Sequence, residues 1–178
     1  MSSPCSDDGE RTVTALFQDA RAAEQAYEAA LALGYDKSEI NLVMSEDTRE
    51  RLARDPRHVE AAQAADSQVR PKELGGPIGG AVGTLAPVLA AVGTLVLAPG
   101  LVLVGPIAAA LAAAGAVALA GGLVGVLNNW GVPDERIQQY EAGIRQGGIF
   151  LGVKTRSAEH ARELERNWKN GGGQLVHC

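Results

Sequence analysis

His177 and Cys178 are adjacent at the C-terminal end of the sequence, where they could offer an imidazole nitrogen and a thiolate to a metal ion. Zinc sites in proteins take three or four ligands at defined spacing. The other two histidines, His58 and His160, lie in separate charged segments. A metal site would therefore need ligands from a second chain, and we predict none.

Other residues that could do chemistry have simpler interpretations. Asp134 and Glu135 are neighbouring carboxylates, but they open a predicted helix, where acidic residues stabilise the helix dipole. The glycine pairs between positions 75 and 80 lack the spacing and the following lysine of a phosphate-binding loop. Tyr140 and Trp168 recur on helical stripes and are predicted core residues. The sequence therefore predicts no catalytic residue, no cofactor and no enzymatic activity.

The two cysteines, Cys5 and Cys178, stand near opposite ends of the chain and form no C-x-x-C motif. Two isolated cysteines do not make a disulfide framework, so we expect reduced, exposed thiols. The first residues have no basic start and no apolar core, which is unlike a signal peptide. We therefore expect an intracellular protein.

An uncharged run dominates the middle of the chain. The 60 residues from position 74 to position 133 include no Asp, Glu, Lys, Arg or His. Pro99 and Gly100 divide the run, and we predict one helix over Pro77–Leu97 and another over Pro106–Asn128. At 1.5 Å per residue each would be about 32–35 Å long, close to the thickness of a bilayer's hydrocarbon core.

Both predicted helices carry small residues at alternating steps of four and three. This spacing lets two backbones approach closely, as in glycine-zipper packing of membrane helices. Trp130, beside two asparagines, is placed where an interfacial aromatic anchor would be expected. The predicted helix-packing residues are Gly79, Gly83, Ala86, Ala90 and Gly93 in the first helix, and Ala114, Ala118, Gly121 and Gly125 in the second.

Two environments could shield such a run from water. One is membrane lipid, entered by a helical hairpin whose ends both lie on one side. Arg70, Lys72 and Arg136 flank the run and place both termini in the cytoplasm, by the positive-inside rule. The other is the core of a soluble cytoplasmic homo-oligomer in which each copy covers its neighbours. Both environments leave the backbone satisfied internally.

Composition argues against one further class of partner. The net charge is −5 and the pI is near 5.2. Binding to nucleic acid depends mainly on neutralising phosphates with basic residues. Aromatic residues, which stack on single strands, make up only 4% of the chain. We predict no nucleic-acid partner.

The flanks of the run read as two related units. We predict a flexible tail over residues 1–11 and an α/β domain in two halves, 12–45 and 132–178. Between the halves we predict a charged helical connector over 46–73 and the helical hairpin over 74–131. Asp19, Ala20 and Ala23 match Ser157, Ala158 and Ala161 at one constant offset, so strand, capping residue, helix and strand occur twice. Two such units predict an α+β, ferredoxin-like sheet with two helices on one face.

Several short motifs resemble a family of small bacterial general-stress proteins, both heat-induced and low-temperature-induced. The likeness is carried by the residues at positions 14–17, 33–35, 40–44, 131–133, 140–144 and 147–149. In that family a stress domain encloses a Gly/Ala-rich hydrophobic segment. The resemblance implies a role in the stress response and brings no catalytic residues with it.

Together these features predict a non-enzymatic stress-response protein. In the first hypothesis a glycine-zipper hairpin inserts into the cytoplasmic membrane, oligomerises, and alters or scaffolds it. The alternative is a soluble self-assembling particle with the hairpins as its buried core. A third possibility is a regulatory module whose sheet binds a small ligand, which rests on fold analogy alone.

Overall fold

The computed structural model describes residues 11–56, 94–97, 100–106, 108, 124, 127–128 and 132–178. Six strands, four α-helices and one turn of 3₁₀ helix lie wholly within these ranges. In chain order they are β1 (Arg11–Phe17), α1 (Ala20–Ala32), the 3₁₀ turn (Lys37–Glu39), β2 (Ile40–Ser45), α2 (Glu46–Arg54), β3 (Thr94–Leu97), β4 (Leu101–Val104), α3 (Asp134–Arg145), β5 (Ile149–Thr155), α4 (Ala158–Asn170) and β6 (Gln174–His177).

The strands form one antiparallel sheet in the order β3-β4-β2-β5-β1-β6. Strand β5 pairs with β1 on one side, from Arg11 opposite Thr155 to Phe17 opposite Ile149, and with β2 on the other. The fold is therefore α+β, as predicted. Strands β3 and β4, from inside the uncharged run, extend the sheet beyond β2.

Side chains alternate between the two faces of the sheet, and each face has its own core. Helices α1 and α4 cover one face, where their buried residues pack against alternate positions of β1, β2 and β5. Helix α3 covers the other face. The core on that face consists of Leu16, Val43, Leu103, Ala108, Leu127, Val132, Ile137, Tyr140, Ile144 and Phe150.

The two predicted capping residues, Asp19 and Ser157, are confirmed. The Asp19 side chain accepts a hydrogen bond from the Arg21 N–H, and the Ser157 hydroxyl accepts one from the His160 N–H. Both contacts satisfy amides that have no partner within the helix. The predicted core residues Tyr140 and Trp168 are both 0% exposed, as are Ala23 and Ala30 of α1, whereas Leu31 on the same side of α1 is only partly buried.

The predicted helical hairpin needs correction at its centre. Thr94–Leu97, expected at the end of the first helix, is strand β3, and Leu101–Val104 is strand β4. These segments consist of Leu, Val and one Thr, and Val and Thr suit a pleated strand better than the Ala and Gly around them. Gly100, at φ 74°, supplies the left-handed turn residue between them.

The rest of the prediction for the uncharged run is tested only in places. Pro106, Ala108, Val124, Leu127 and Asn128 are helical, in agreement with the second predicted helix. Helix α2, Glu46–Arg54, occupies the start of the predicted charged helical connector. Among the described helices, none combines the length and the apolar character that crossing a bilayer requires.

Candidate functional site

The small-residue stripes lie outside the described residues. Glycines 79, 83, 93, 121 and 125, alanines 86, 90, 114 and 118, and Trp130 all fall in this group. The described centre of the uncharged run is instead the β3–β4 ribbon, which forms one border of the sheet. We take this ribbon as the candidate site, since it is the described part of the run that reaches a sheet edge.

The ribbon is fixed to the sheet through its inner strand. Four residues of β4 pair with β2, from Leu42 opposite Val104 to Ser45 opposite Leu101. Val102, Leu103 and Val104 are at most 1% exposed, so β4 is buried on both faces. Burial on both faces explains why β4 has a near-continuous hydrophobic sequence. Strands of antiparallel sheets more usually alternate hydrophobic and polar residues.

Both ends of β4 make close backbone contacts with β2 and its surroundings. The Glu46 N–H donates to the Gly100 carbonyl at 2.8 Å, which holds the turn against the start of α2. Gly105, at φ 117°, lies so near β2 that a Cβ would be 2.5 Å from the Ile40 carbonyl oxygen. A larger residue at position 105 would have both a strained backbone and a steric clash.

A small hydroxyl network anchors α2 beside the ribbon. The Ser45 hydroxyl accepts from the Thr48 N–H at 3.2 Å and lies 2.8 Å from the Thr48 hydroxyl. The Thr48 hydroxyl donates to the Gly147 carbonyl at 3.3 Å and accepts from Arg51 at 3.1 Å. Because Gly147 follows α3, this network joins the start of α2 to the end of α3.

A second polar network joins the two repeated units. The Tyr35 hydroxyl accepts from the Arg156 N–H at 3.0 Å and lies 3.0 Å from Nδ1 of His160. The Arg156 guanidinium stacks over the Tyr35 ring and donates to Glu39 at 2.6 Å. That hydrogen bond, with one from the Asp36 N–H, lowers the pKa of the Glu39 carboxyl. The residues hold the α1–β2 and β5–α4 connections together.

A third network lies under α3. The Tyr140 hydroxyl donates to the Leu175 carbonyl at 2.7 Å and lies 2.9 Å from the Thr14 hydroxyl. Since the single Tyr140 proton goes to a carbonyl, Thr14 must be the donor of the second bond. Arg136 also donates to the Leu175 carbonyl, at 3.0 Å. Leu175 has φ 54°, at an irregularity in the β1–β6 pairing.

The His177–Cys178 pair differs from the sequence-based expectation in the state of its cysteine. Cys178 is half-buried and disulfide-bonded, so the expected reduced, exposed thiol is wrong at this position. Burial and the nearby Arg136 cation lower the pKa of His177, and Glu165 opposes that shift. The described residues contain no group of three or more His, Cys, Asp or Glu that could hold a metal ion.

The long-range contacts of the three networks could not be found from sequence spacing. Thr14 and Tyr140 are 126 positions apart, and Tyr35 and His160 are 125 apart. Local patterns report neighbours on one helix or strand, whereas these contacts depend on how the two halves of the chain meet. In each network the hydroxyls have structural partners, which favours a positioning role over chemistry.

Searches against models of protein families, against curated proteins and against solved structures found no significant match for this chain.

Proposed function

We propose that this is a non-enzymatic protein that self-assembles through its uncharged run. Copies of the chain shield one another's apolar segments, and the α/β domains lie around that shared core. The stress-response role follows from the sequence resemblance alone and is part of the same proposal.

One contact favours protein over lipid as the environment that shields the uncharged run from water. A hairpin of two bilayer-spanning helices needs its turn about 30 Å from the domain that bears its ends. Here the Gly100 carbonyl, in that turn, is 2.8 Å from the Glu46 nitrogen. Glu46 and Asp47 in the first turn of α2 would enter the bilayer with it, and carboxylates there are costly.

Contacts inside the chain support the same choice. Ala108 and Leu127, from the second half of the uncharged run, are 1% and 0% exposed in the core beneath α3. The run therefore already packs against protein at these points. A chain with only 118 residues outside the run has little surface left to cover the remainder, so sister copies would supply it.

The topology supports a ferredoxin-like core for each copy. Strands β2, β5, β1 and β6 are adjacent in that order, and α1 and α4 pack on one face. This is the arrangement expected from two β-α-β units whose strands interleave. We propose that β3 and β4 are an extension of that core at its β2 side.

Sedimentation velocity of the full chain in detergent-free buffer tests the assembly. We expect a soluble species larger than a monomer, unchanged by mild detergent. Fractionation of expressing cells is the companion measurement. A membrane pellet that resists alkaline washing would refute the proposal in favour of insertion, and a compact monomer in plain buffer would also refute it.

The stress component is tested separately. Deleting the gene in the source organism should reduce survival after a temperature shift, and re-expression should restore it. Equal survival of the deletion strain under heat and cold would contradict that part of the proposal.

A further inference from the structure

The two edges of the sheet are built differently. The β6 edge carries features that discourage another strand from pairing. Its pairing with β1 is interrupted between Thr14 and Leu16, and Leu175 adopts a left-handed conformation. The Leu175 carbonyl is already bonded by Tyr140 and Arg136. Bulges and occupied backbone groups are common protections of edge strands.

The β3 edge, meaning the outer side of Thr94–Leu97, shows no such protection among the residues that the structure describes. Its four residues pair with β4 in an unbroken register, from Thr94 opposite Val104 to Leu97 opposite Leu101. They include no charged residue and no proline, and the nearest charges along the chain are Glu73 and Asp134. No other described strand pairs with the outer side of β3.

We propose that two copies of this chain join through their β3 edges, antiparallel and across a two-fold axis, so that their sheets become continuous. This deepens the proposed self-assembly, on which it rests, by naming the strand that makes the contact. With the axis between Leu95 and Val96, each Leu95 lies opposite the other copy's Val96. Each Thr94 lies opposite the other copy's Leu97.

Charge and symmetry favour a second copy over another partner. A two-fold contact brings identical surfaces together, and each chain carries a net charge of −5. Like charges opposite one another would weaken such a pair. The β3 edge avoids this because it lies within 60 uncharged residues. Its apolar pairs across the axis are of the kind that stabilise antiparallel strands.

The test compares one charge placed at either edge of the full-length protein. Leu95→Lys puts two ammonium groups beside the axis, whereas Gln174→Lys puts the same charge on β6. Sedimentation velocity over a concentration series should give Leu95→Lys a dissociation constant at least tenfold above wild type. Gln174→Lys should remain within twofold. Thr94→Lys serves as a second β3 variant if Leu95→Lys does not fold.

Hydrogen exchange gives an independent reading on the wild-type protein. The outward-facing amides among residues 94–97 should exchange at least tenfold more slowly at concentrations where the protein is associated. Protection that is independent of concentration would mean that the edge is covered within one chain, and the inference would fall.

The outcomes separate this inference from the broader proposal. A wild-type assembly that the folded β3 variants leave intact would overturn the β3 contact and keep self-assembly. A wild-type monomer at every concentration would overturn both. Loss of association in the β3 variants alone supports both.

Discussion

Two buried tyrosines make a matched pair, because their hydroxyls have opposite surroundings. Tyr140 and Tyr27 are 0% and 1% exposed. The Tyr140 hydroxyl has two partners, Thr14 at 2.9 Å and the Leu175 carbonyl at 2.7 Å. The Tyr27 hydroxyl has no hydrogen-bond partner among the described residues. The same change, tyrosine to phenylalanine, should therefore alter stability in opposite directions.

Tyr140→Phe should destabilise the protein. It removes the acceptor of the Thr14 hydroxyl, which is 0% exposed, and one of the two donors to the Leu175 carbonyl. Leaving a buried polar group without its partner costs about 1–3 kcal/mol. For a chain of this length that corresponds to a melting temperature lower by about 2–12 °C.

Tyr27→Phe should leave stability unchanged or raise it. Burying a hydroxyl without a hydrogen bond costs about 1–3 kcal/mol in proteins, and this variant removes that cost while keeping the ring. The free energy of unfolding should therefore be equal to or above that of the wild type, by up to about 3 kcal/mol.

Urea unfolding followed by circular dichroism measures both variants on one scale. Thr14→Val and the Thr14→Val/Tyr140→Phe double variant complete a cycle. The double variant should lose less than the sum of the single variants, by about 0.5–3 kcal/mol, because both partners leave together. Equal destabilisation by Tyr27→Phe and Tyr140→Phe, or zero coupling in the cycle, would refute the reasoning.

Three further predictions concern packing and pH. Gly143→Ala places a methyl group against the buried Leu16 side chain. The resulting overpacking should outweigh the roughly 1 kcal/mol gained in helix propensity, so urea unfolding should show a net loss of stability. Adding Leu16→Val should recover part of that loss. Because burial and Arg136 lower the pKa of His177, the unfolded chain binds that proton more readily. The free energy of unfolding should fall as the pH drops below about 6.5. A His177→Gln variant whose stability depends on pH as steeply as that of the wild type would contradict this. Burial raises the pKa of Tyr27 to about 12 from a usual 10.0, so the folded chain keeps a proton that the unfolded chain releases. The free energy of unfolding should therefore fall as the pH rises from 10.0 to about 12, and Tyr27→Phe should reduce that fall.

The repeated units were predictable because their signals are local. Asp19 and Ser157 precede apolar stripes of helical period, and a capping side chain needs only an amide two or three residues away. Glycine follows α1, α3 and α4 for an equally local reason. Gly34 and Gly147 have φ values of 86° and 97°, which other residues rarely adopt.

Strands β3 and β4 could not be predicted from the sequence because their signal is weak. Each is four residues long, and β4 is buried on both faces, so no polar alternation distinguishes it from the apolar residues around it. Short apolar runs fit a buried strand or a buried helix equally well. What selects the strand is the neighbouring β2, a tertiary contact that no local pattern reports.

The position of β5 has a consequence for synthesis on the ribosome. Strands β1 and β2 are not neighbours in the sheet; both pair with β5, which begins 132 residues after β1 ends at Phe17. At 5–20 residues per second, β1 waits about 7–26 s for β5, the first of its two partner strands to be synthesised. During that interval its apolar residues are open to chaperones or to nascent neighbours, so translation speed bears directly on the yield of native protein.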